Sequence, residues 1–202
     1  MKKIIQAPYI DQTSDYPTGC ESVSAVMLLR YLNVPVSVDE FIDNYLEKEP
    51  MQYRKGRLCG PDPFRCFAGS PYDRESFGCY APVIVSALNK AFEKKGRKLS
   101  AIDITGMPMD RIMTDFFGQD MPVVFWASID LKETVLGPEW RLPDGSVFTW
   151  ISNEHCMLLT GYDNDSYYFN DPWQNHGRVA WPKKLVEQRH KEQRKMAVAV
   201  RR

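Results

Sequence analysis

The feature that most constrains the fold of this chain is the order of its hydrophobic patterns, because helix-type periods come first and strand-type runs come last. Apolar residues recur at helical spacing in residues 80–95 and 108–118, whereas continuous apolar and β-branched runs begin at residue 121. Helices followed by strands are typical of an α+β fold rather than of alternating α/β units. We therefore expect one domain, with a helical part over about residues 1–118 and an antiparallel sheet part over about residues 119–202.

Two earlier helices have defined starts. Cys20 follows a Pro-Thr-Gly turn and opens an apolar helical pattern over residues 20–32. Ser37 and Glu40 form a capping box ahead of a second helix, which we expect to end at Pro50. The first of these helices matters more for function, since it places a cysteine at a helix start.

The rest of the chain divides into short strands and two irregular segments. We expect an extended arm over residues 4–10, a helix near 182–193, and strands over 121–129, 155–161, 166–170, 177–181 and 196–200. Residues 51–79 show little periodicity and predict an ordered loop region, and residues 130–153 predict a polar excursion. We expect both segments to line a cleft.

The charge balance argues against two classes of partner. Lys and Arg together number 26, as do Asp and Glu, so the zero net charge argues against nucleic acid or an anionic membrane as a partner. The N-terminal sequence MKKIIQAPYIDQ has too short an apolar stretch for a secretory signal, and the sequence predicts no membrane span. The five cysteines, an odd number, fit a reducing compartment, so we expect a cytoplasmic location. A sequence that begins after a removed secretory signal would look the same, so export is the alternative.

Cys20 is accompanied by residues suited to nucleophilic catalysis. The first amides of a helix carry a positive partial charge, which favours the thiolate form of a cysteine. His155 opens one predicted strand and Asp171 ends the next, and a tight reversal at residues 163–165 would bring these strand ends together. An imidazole so placed can take the thiol proton, and a carboxylate behind it can fix its tautomer. Gln12 lies eight residues before the cysteine and can donate an amide N–H to a developing oxyanion, beside the backbone N–H of Cys20.

The order Gln, Cys, His, Asp, with the cysteine on a helix and the other two on following strands, resembles that of papain-like cysteine peptidases. More narrowly, the chain is similar to the C39-like peptidase family in the stretches APYIDQ, PTGCESVSAVMLLRYL, FAGSPYDRESFGCYAPVI and HCMLLTGYDNDSYYFNDPW. The resemblance implies a papain-like α+β fold and hydrolysis of a peptide or protein substrate without a metal or organic cofactor. It also implies four roles: Cys20 as nucleophile, His155 as general base, Asp171 as orienting residue and Gln12 in the oxyanion hole.

Two departures from the family pattern limit these implications. Bacteriocin-processing members carry Cys-Gly at the nucleophile and are fused to a membrane transporter, whereas here Glu21 follows Cys20 and no transporter is present. We therefore do not expect cleavage after a double-glycine leader, and the closer resemblance is to stand-alone C39-like proteins. Two alternatives keep the fold: a catalytically silent peptide-binding module, and an acyltransferase or deamidase that forms the same thioester.

Each proposed site residue also has a simpler interpretation. Cys20 alone is compatible with a small buried hydrophobic residue, and His155 alone with a structural histidine. Gln12 is compatible with a surface loop, and Asp171 with a turn. Asn170 is a rival for orienting His155, since asparagine has that role in other papain-like enzymes.

Two other clusters are weak candidates for metal binding. Cys59, Cys66 and Cys79 lack the C-x2-C spacing typical of zinc sites, so ordinary thiols are the favoured interpretation. Asp163 and Asp165 indicate a turn rather than a metal site.

The remaining candidates concern the surroundings of the site. We expect His176 and His190 at the surface and Cys156 facing the core, because it alternates with His155 along a strand. Trp173, two residues after the predicted orienting carboxylate, is placed to shield a His–Asp hydrogen bond from water.

Overall fold

The computed structural model of the protein describes residues 2–202. Over this range the helices are α1 Cys20–Tyr31, α2 Val38–Asn44, α3 Ala81–Lys94, α4 Met109–Asp115 and α5 Lys183–Glu192. The strands are β1 Lys3–Ile4, β2 Lys48–Glu49, β3 Gln52–Arg54, β4 Arg57–Cys59, β5 Phe67–Ala68, β6 Ser100–Asp103, β7 Val123–Ser128, β8 Leu136–Arg141, β9 Val147–Ile151, β10 Glu154–Tyr162, β11 Ser166–Asp171, β12 Gly177–Pro182 and β13 Ala197–Arg201. None of the helices in residues 2–202 has both the length and the apolar character needed to span a membrane.

A seven-stranded sheet forms the centre of the fold. Its strands lie in the order β12-β11-β10-β7-β13-β6, and β1 adds to it by pairing with β10. All of these pairings are antiparallel. The last strand of the chain, β13, therefore lies in the interior of the sheet, between β7 and β6.

Helices cover both faces of this sheet. Consecutive residues of a strand point to opposite faces. In β7, the ring of Phe125 stacks on His190 of α5 with centroids 3.8 Å apart, whereas Trp126 donates its Nε1 hydrogen to the carbonyl of Cys79 at 3.3 Å. On the side of Trp126, α1 packs on β10 and β7 and is flanked by α2 and α3.

The N-terminal arm is fastened along the sheet beside β10 and β11. The Ile5 amide donates to the Thr160 carbonyl at 2.7 Å, and the Gln12 amide donates to the Pro172 carbonyl at 2.9 Å. The Asn170 side chain donates to the carbonyl of Ala7 at 3.0 Å. These bonds hold Gln12 close to the end of β11.

A small second sheet, in the order β3-β4-β8-β9, packs through an aromatic cluster. Trp140 and Trp150 lie on β8 and β9 and are almost fully buried. Tyr80 stacks on Trp150 with a centroid distance of 5.4 Å and an interplanar angle of 9°, and Phe77 packs beside Trp140 at 4.9 Å. Ring packing thus orders chain segments that contain little regular structure.

The α+β expectation is confirmed, and most predicted elements are present. Ser37 caps α2 by accepting the Glu40 amide at 3.0 Å, as the capping-box pattern predicts. The predicted end of that helix at Pro50 is wrong, because α2 stops at Asn44 and the chain then enters β2, which pairs with β5. The hairpin predicted around residues 163–165 is formed by β10 and β11.

Three parts of the main chain differ from the sequence prediction. The predicted loop region of residues 51–79 contains the short strands β3, β4 and β5. The excursion over residues 130–153 contains the hairpin of β8 and β9, and each of these strands has one buried tryptophan among exposed or half-buried residues. Strand β6 was not predicted, because its four residues are too few to show a period; it pairs with β13. The seven-stranded sheet therefore includes β1 and β6, which lie in the part of the chain predicted to be helical.

The central position of β10 predicts the effect of a core substitution. Leu158 is fully buried in β10, so Leu158→Ala should lower the free energy of unfolding by about 2–5 kcal/mol through lost burial and a residual cavity. Chemical denaturation followed by circular dichroism measures this change. Leu136→Ala is the matched control, because Leu136 is 78% exposed and its truncation should change stability by less than about 0.5 kcal/mol. Equal effects of the two substitutions would contradict the assignment of the core.

Candidate active site

Two neighbouring strands bring a histidine and an aspartate into contact. Leu158 of β10 pairs with Asn170 of β11. Asp171 lies one residue from this pair and His155 three residues from it, so both side chains point to the same face of the sheet, opposite to that of the pair. His155 Nε2 and Asp171 Oδ1 are 2.6 Å apart, and both side chains are 2% exposed. A buried bond of this kind fixes the orientation of the imidazole and leaves its Nδ1 for another partner.

Asp171 is held by three donors. Besides His155, the Trp173 amide donates to Oδ1 at 3.0 Å and His176 Nδ1 lies 3.0 Å from Oδ2. Burial by itself raises the pKa of Asp171, but the hydrogen bond with His155, the charge of that ring and the other two bonds outweigh it, so the pKa is lowered. The carboxylate is thus stabilised in its ionised form.

Asp171 and Asn170, the two candidates for orienting His155, differ in their hydrogen-bond partners. The Asn170 amide donates to the carbonyls of Ala7 and Pro8, at 3.0 and 3.1 Å, and so binds the N-terminal arm rather than the imidazole. Trp173 presents its ring edge-on to His155 at a centroid distance of 6.3 Å. Trp173 therefore lies beside the hydrogen bond between His155 and Asp171, which the sequence analysis expects it to shield from water.

Cys20 is the first residue of α1 and is buried, with 6% exposure. The start of this helix is bonded to the sheet, because Ser24 Oγ donates to the Cys156 carbonyl at 3.2 Å. The Cys20 thiol donates to Glu21 Oε2 at 3.4 Å. Within residues 2–202, no hydrogen bond joins the thiol to His155.

The electrostatic environment of Cys20 opposes ionisation. Burial raises the pKa of the thiol well above its usual value, and the nearby carboxyl groups of Glu21 and Glu154 raise it further. This is the opposite of the sequence expectation that the helix N-terminus favours the thiolate. In this arrangement desolvation and two acidic neighbours outweigh the helix dipole.

Glu21 is a fully buried carboxyl group that the sequence analysis did not recognise as part of the site. Its Oε1 accepts the Cys79 amide at 2.7 Å, and burial raises its pKa to about 7. A Cβ at Gly78 would lie 2.4 Å from this oxygen, so glycine is required there for the carboxylate to approach the chain. The signal in the sequence was an acidic residue in the first turn of an otherwise apolar helix.

Glu154 is the second missed carboxyl group. It precedes His155 at the start of β10 and is 7% exposed, and its Oε1 has no hydrogen-bond partner in residues 2–202. Burial and the charge of Glu21 raise its pKa well above the usual value. Two acidic side chains therefore face the nucleophile candidate, and the environment of each favours protonation.

Gln12 is 1% exposed and lies by the same helix start. Its Nε2 lies 3.3 Å from the Tyr16 carbonyl and 3.4 Å from the Pro17 carbonyl, while its Oε1 is buried without a partner. The interpretation of Gln12 as a surface-loop residue is wrong, since the bonds of the N-terminal arm bury it.

A cleft of about 240 Å³ connects these groups, with Gln12, Cys20, Glu154 and His155 in its walls. As expected, both irregular segments contribute to the lining: residues 51–79 provide Arg74, Ser76 and Phe77, and residues 130–153 provide Trp150 and Ser152. The arrangement sets a thiol, an oriented imidazole and an amide around one small space.

Of the two other histidines, which we expected at the surface, one is buried and the other is partly exposed. His190 is 2% exposed between α5 and the sheet, and burial lowers its pKa to about 4. The side chain of His176 is 27% exposed and bonds to Asp171. The burial of His190 was missed because the charged run EQRHKEQRK does not reveal which of its residues faces the sheet.

All five cysteines are free thiols. Cys156 is fully buried, as predicted, and Cys66 and Cys79 are also buried, whereas Cys59 is half-buried. The cluster of potential metal ligands in residues 2–202 contains Cys20 rather than the other thiols.

Comparison with known proteins identifies the family of this chain. The Peptidase_C39 like family matches residues 4–198. The chain belongs to this family. A crystal structure of a protein from Bacillus anthracis, described as a C39-like peptidase, superposes with a TM-score of 0.85, covering 99% of this chain and 98% of that one at 23% sequence identity. This likeness shows the fold.

A curated relative is the Bacillus subtilis (strain 168) protein named "Uncharacterized protein YvpB", which is 30% identical over 159 residues. The match covers 77% of this chain and 58% of the relative, so the chain spans little more than half the length of that protein. A double glycine motif protease from an AMS/PCAT transporter, solved with its leader peptide, has a TM-score of 0.49 and 15% identity, covering 98% of this chain and 91% of that one.

The lowered pKa of Asp171 predicts a pH-dependent contribution to stability. Because folding favours the ionised carboxylate, this group stabilises the fold above its ordinary pKa of 3.8, and that contribution is lost as pH falls through the folded-state pKa. Asp171→Asn should therefore lower the free energy of unfolding by about 1.5–3 kcal/mol at neutral pH, the usual loss for hydrogen bonds to a charged group. The deficit should shrink below about pH 4.

Denaturation curves at several pH values measure this deficit. Asp165→Asn is the control, because Asp165 is exposed and its substitution should change stability by less than about 0.5 kcal/mol. A deficit for Asp171→Asn that stays constant down to acid pH would contradict an ionised, buried carboxylate.

Proposed function

We propose that the protein is a cysteine peptidase that hydrolyses a peptide bond through Cys20, His155, Asp171 and Gln12. The observation that carries the proposal is the buried 2.6 Å bond between His155 and Asp171, beside a cleft that is also lined by Cys20. Membership of the C39-like family supports the same conclusion. The substrate would be a peptide or protein segment that reaches into this cleft.

In the proposed mechanism, His155 acts as the general base. Its Nε2 is bound to Asp171, so its Nδ1 is available to take the thiol proton from Cys20. The thiolate attacks the carbonyl carbon, and the imidazolium returns the proton to the leaving amine. Water then hydrolyses the thioester, with the same imidazole as base.

The oxyanion would be stabilised by two donors. The backbone N–H of Cys20 belongs to the first turn of α1 and so has no acceptor within the helix. The Gln12 amide lies in the wall of the same cleft, and its bonds to Tyr16 and Pro17 are long, at 3.3 and 3.4 Å. A weakly held amide hydrogen can turn toward an incoming oxyanion.

The mechanism requires the thiol to leave Glu21. In the resting arrangement the S–H bond points to Glu21 Oε2, and the pKa of the thiol is raised by burial and by the acidic neighbours. Rotation about the Cα–Cβ bond of Cys20 would direct the sulfur into the cleft and toward His155. We propose that substrate binding stabilises this second rotamer.

The same observation supports a second candidate function, a catalytically silent peptide-binding module. A thiol that bonds to Glu21 and remains protonated is not activated for attack. This candidate predicts that bound peptides are recovered intact.

Substitution of the nucleophile separates the two functions. Incubation of the protein with a peptide library, followed by mass spectrometry, should give cleaved products with the wild type and none with Cys20→Ala. Cys59→Ala is the control and should cleave as the wild type does, because Cys59 lies outside the cleft. If Cys20→Ala cleaves normally, the peptidase proposal is wrong; if the wild type retains peptides uncleaved, the binding module is favoured.

The library experiment also tests acyl transfer by the same thioester. A peptidase should form cleaved product without any added amine nucleophile, because water completes the reaction. Product formation that depends on the added acceptor would instead assign the chemistry to an acyltransferase.

The oxyanion role of Gln12 predicts a defect in the chemical step. Gln12→Ala should lower kcat by about 10²–10³-fold with little change in KM, because the donor acts mainly on the transition state. Steady-state kinetics on a peptide identified from the library measure both constants. Gln6→Ala is the control, since Gln6 lies on the same arm but outside the cleft. A rise in KM with unchanged kcat would assign Gln12 to substrate binding instead.

A further inference from the structure

Three potential metal ligands converge at the start of α1. One ligand atom from each of Cys20, Glu21 and Glu154 lies within 4.8 Å of the other two, and all three side chains are buried. They come from two separate parts of the chain, α1 and the first residue of β10. The proposed peptidase mechanism uses the cysteine and gives no role to either carboxyl group.

The two carboxyl groups lack a positive partner of their own. Glu21 accepts bonds from the Cys79 amide and the Cys20 thiol, whereas Glu154 Oε1 is buried with no hydrogen-bond partner. Over residues 2–202, neither carboxyl group forms an ion pair with a lysine, arginine or histidine. Buried acidic groups are usually paired with a cation or coordinate a metal, so the unpartnered oxygen of Glu154 makes this cluster a candidate cation site.

The donor set selects the kind of cation. A thiolate with two carboxylates suits Zn²⁺, whereas Mg²⁺ and Ca²⁺ prefer sites made entirely of oxygen ligands. In tetrahedral zinc sites with Zn–S near 2.3 Å and Zn–O near 2.0–2.2 Å, sulfur and oxygen are about 3.5–3.7 Å apart. Cys20 Sγ and Glu21 Oε2 are already 3.4 Å apart. The third ligand needs to move inward by only about 1 Å, which a change of side-chain torsions provides.

The surroundings also hold one ligand in place. The bond from the Cys79 amide fixes the carboxylate of Glu21, as outer hydrogen bonds do in established metal sites. The cleft reaches both Cys20 and Glu154, so an ion and a fourth, water ligand have a path to the cluster.

We propose that Cys20, Glu21 and Glu154 form an inhibitory Zn²⁺ site that holds the nucleophile in a metal-bound, inactive state. Binding breaks the S–H bond of Cys20 and forms a Zn–S bond, and the thiol proton, with any proton on the carboxyl groups, passes to solvent. The sulfur lone pair that would attack a substrate is then donated to the metal. The inhibitory effect rests on the proposed function, in which Cys20 is the nucleophile; the metal binding does not.

Binding is tested without any substrate. Chelator-treated protein is titrated with Zn²⁺ by calorimetry, and with Co²⁺ as an absorbing substitute that reports sulfur coordination through a thiolate-to-cobalt charge-transfer band. We expect saturation at one ion per chain. Zn²⁺ should also slow alkylation of Cys20 by iodoacetamide at least tenfold, as mapped by peptide mass spectrometry.

Variants identify the ligands. Glu154→Gln keeps the shape of the side chain and should weaken Zn²⁺ binding by at least about tenfold, while Cys20→Ser should abolish the charge-transfer band of Co²⁺. Glu133→Gln, at an exposed position, is the control and should bind as the wild type does. Circular dichroism spectra establish that each variant is folded, and Cys20→Ser provides an independent test if Glu154→Gln fails to fold.

Three results would overturn the proposal: no saturable binding, a cobalt complex without the charge-transfer band, or equal affinity in the wild type and Glu154→Gln. These results are distinct from failure of the peptidase proposal. If Cys20→Ala retains full peptide cleavage, the catalytic assignment fails whatever the zinc titration gives. If zinc binds as expected but the wild type cleaves no peptide, the metal site is supported and the peptidase proposal fails.

Discussion

The packing of the start of α1 against β10 is the contact on which the rest of the site depends. The bond from Ser24 to the Cys156 carbonyl fixes the helix to the strand that carries Glu154 and His155. The same strand pairs with β11, which supplies Asp171, and with β1, which begins the arm that leads to Gln12. Each group in the cleft is therefore positioned by reference to one central strand, so a shift of β10 would displace all of them together.

The environment of Cys20 contains two opposing influences. The amides of the helix start favour a negative charge, while burial and two carboxyl groups disfavour it, and the raised pKa of the thiol shows which prevails. A peptidase with this arrangement would rest as a neutral thiol beside an oriented imidazole, and would ionise only when the sulfur turns away from Glu21. A resting state of this kind limits wasteful oxidation and alkylation of the nucleophile, because the thiolate is the reactive species.

Sequence patterns predicted the parts of the structure that depend on local chemistry. The capping of α2 by Ser37 and the turn between β10 and β11 follow from residue types a few positions apart, and that turn brings His155 to Asp171. Features that depend on distant packing were missed or misplaced. Burial of His190 arises from α5 lying on β7, and the pairing of Glu21 with Glu154 joins residues 133 positions apart, so no local pattern reveals it.

The placement of β13 has a consequence for how the protein folds. The strand that fills the gap between β7 and β6 consists of residues 197–201, and its first residue lies 177 positions after Cys20. The sheet on which α1 packs is therefore complete only when segments from distant parts of the sequence have met. Contacts of such high sequence separation slow folding, so we expect the sheet beneath the cleft to be among the later parts of the structure to form.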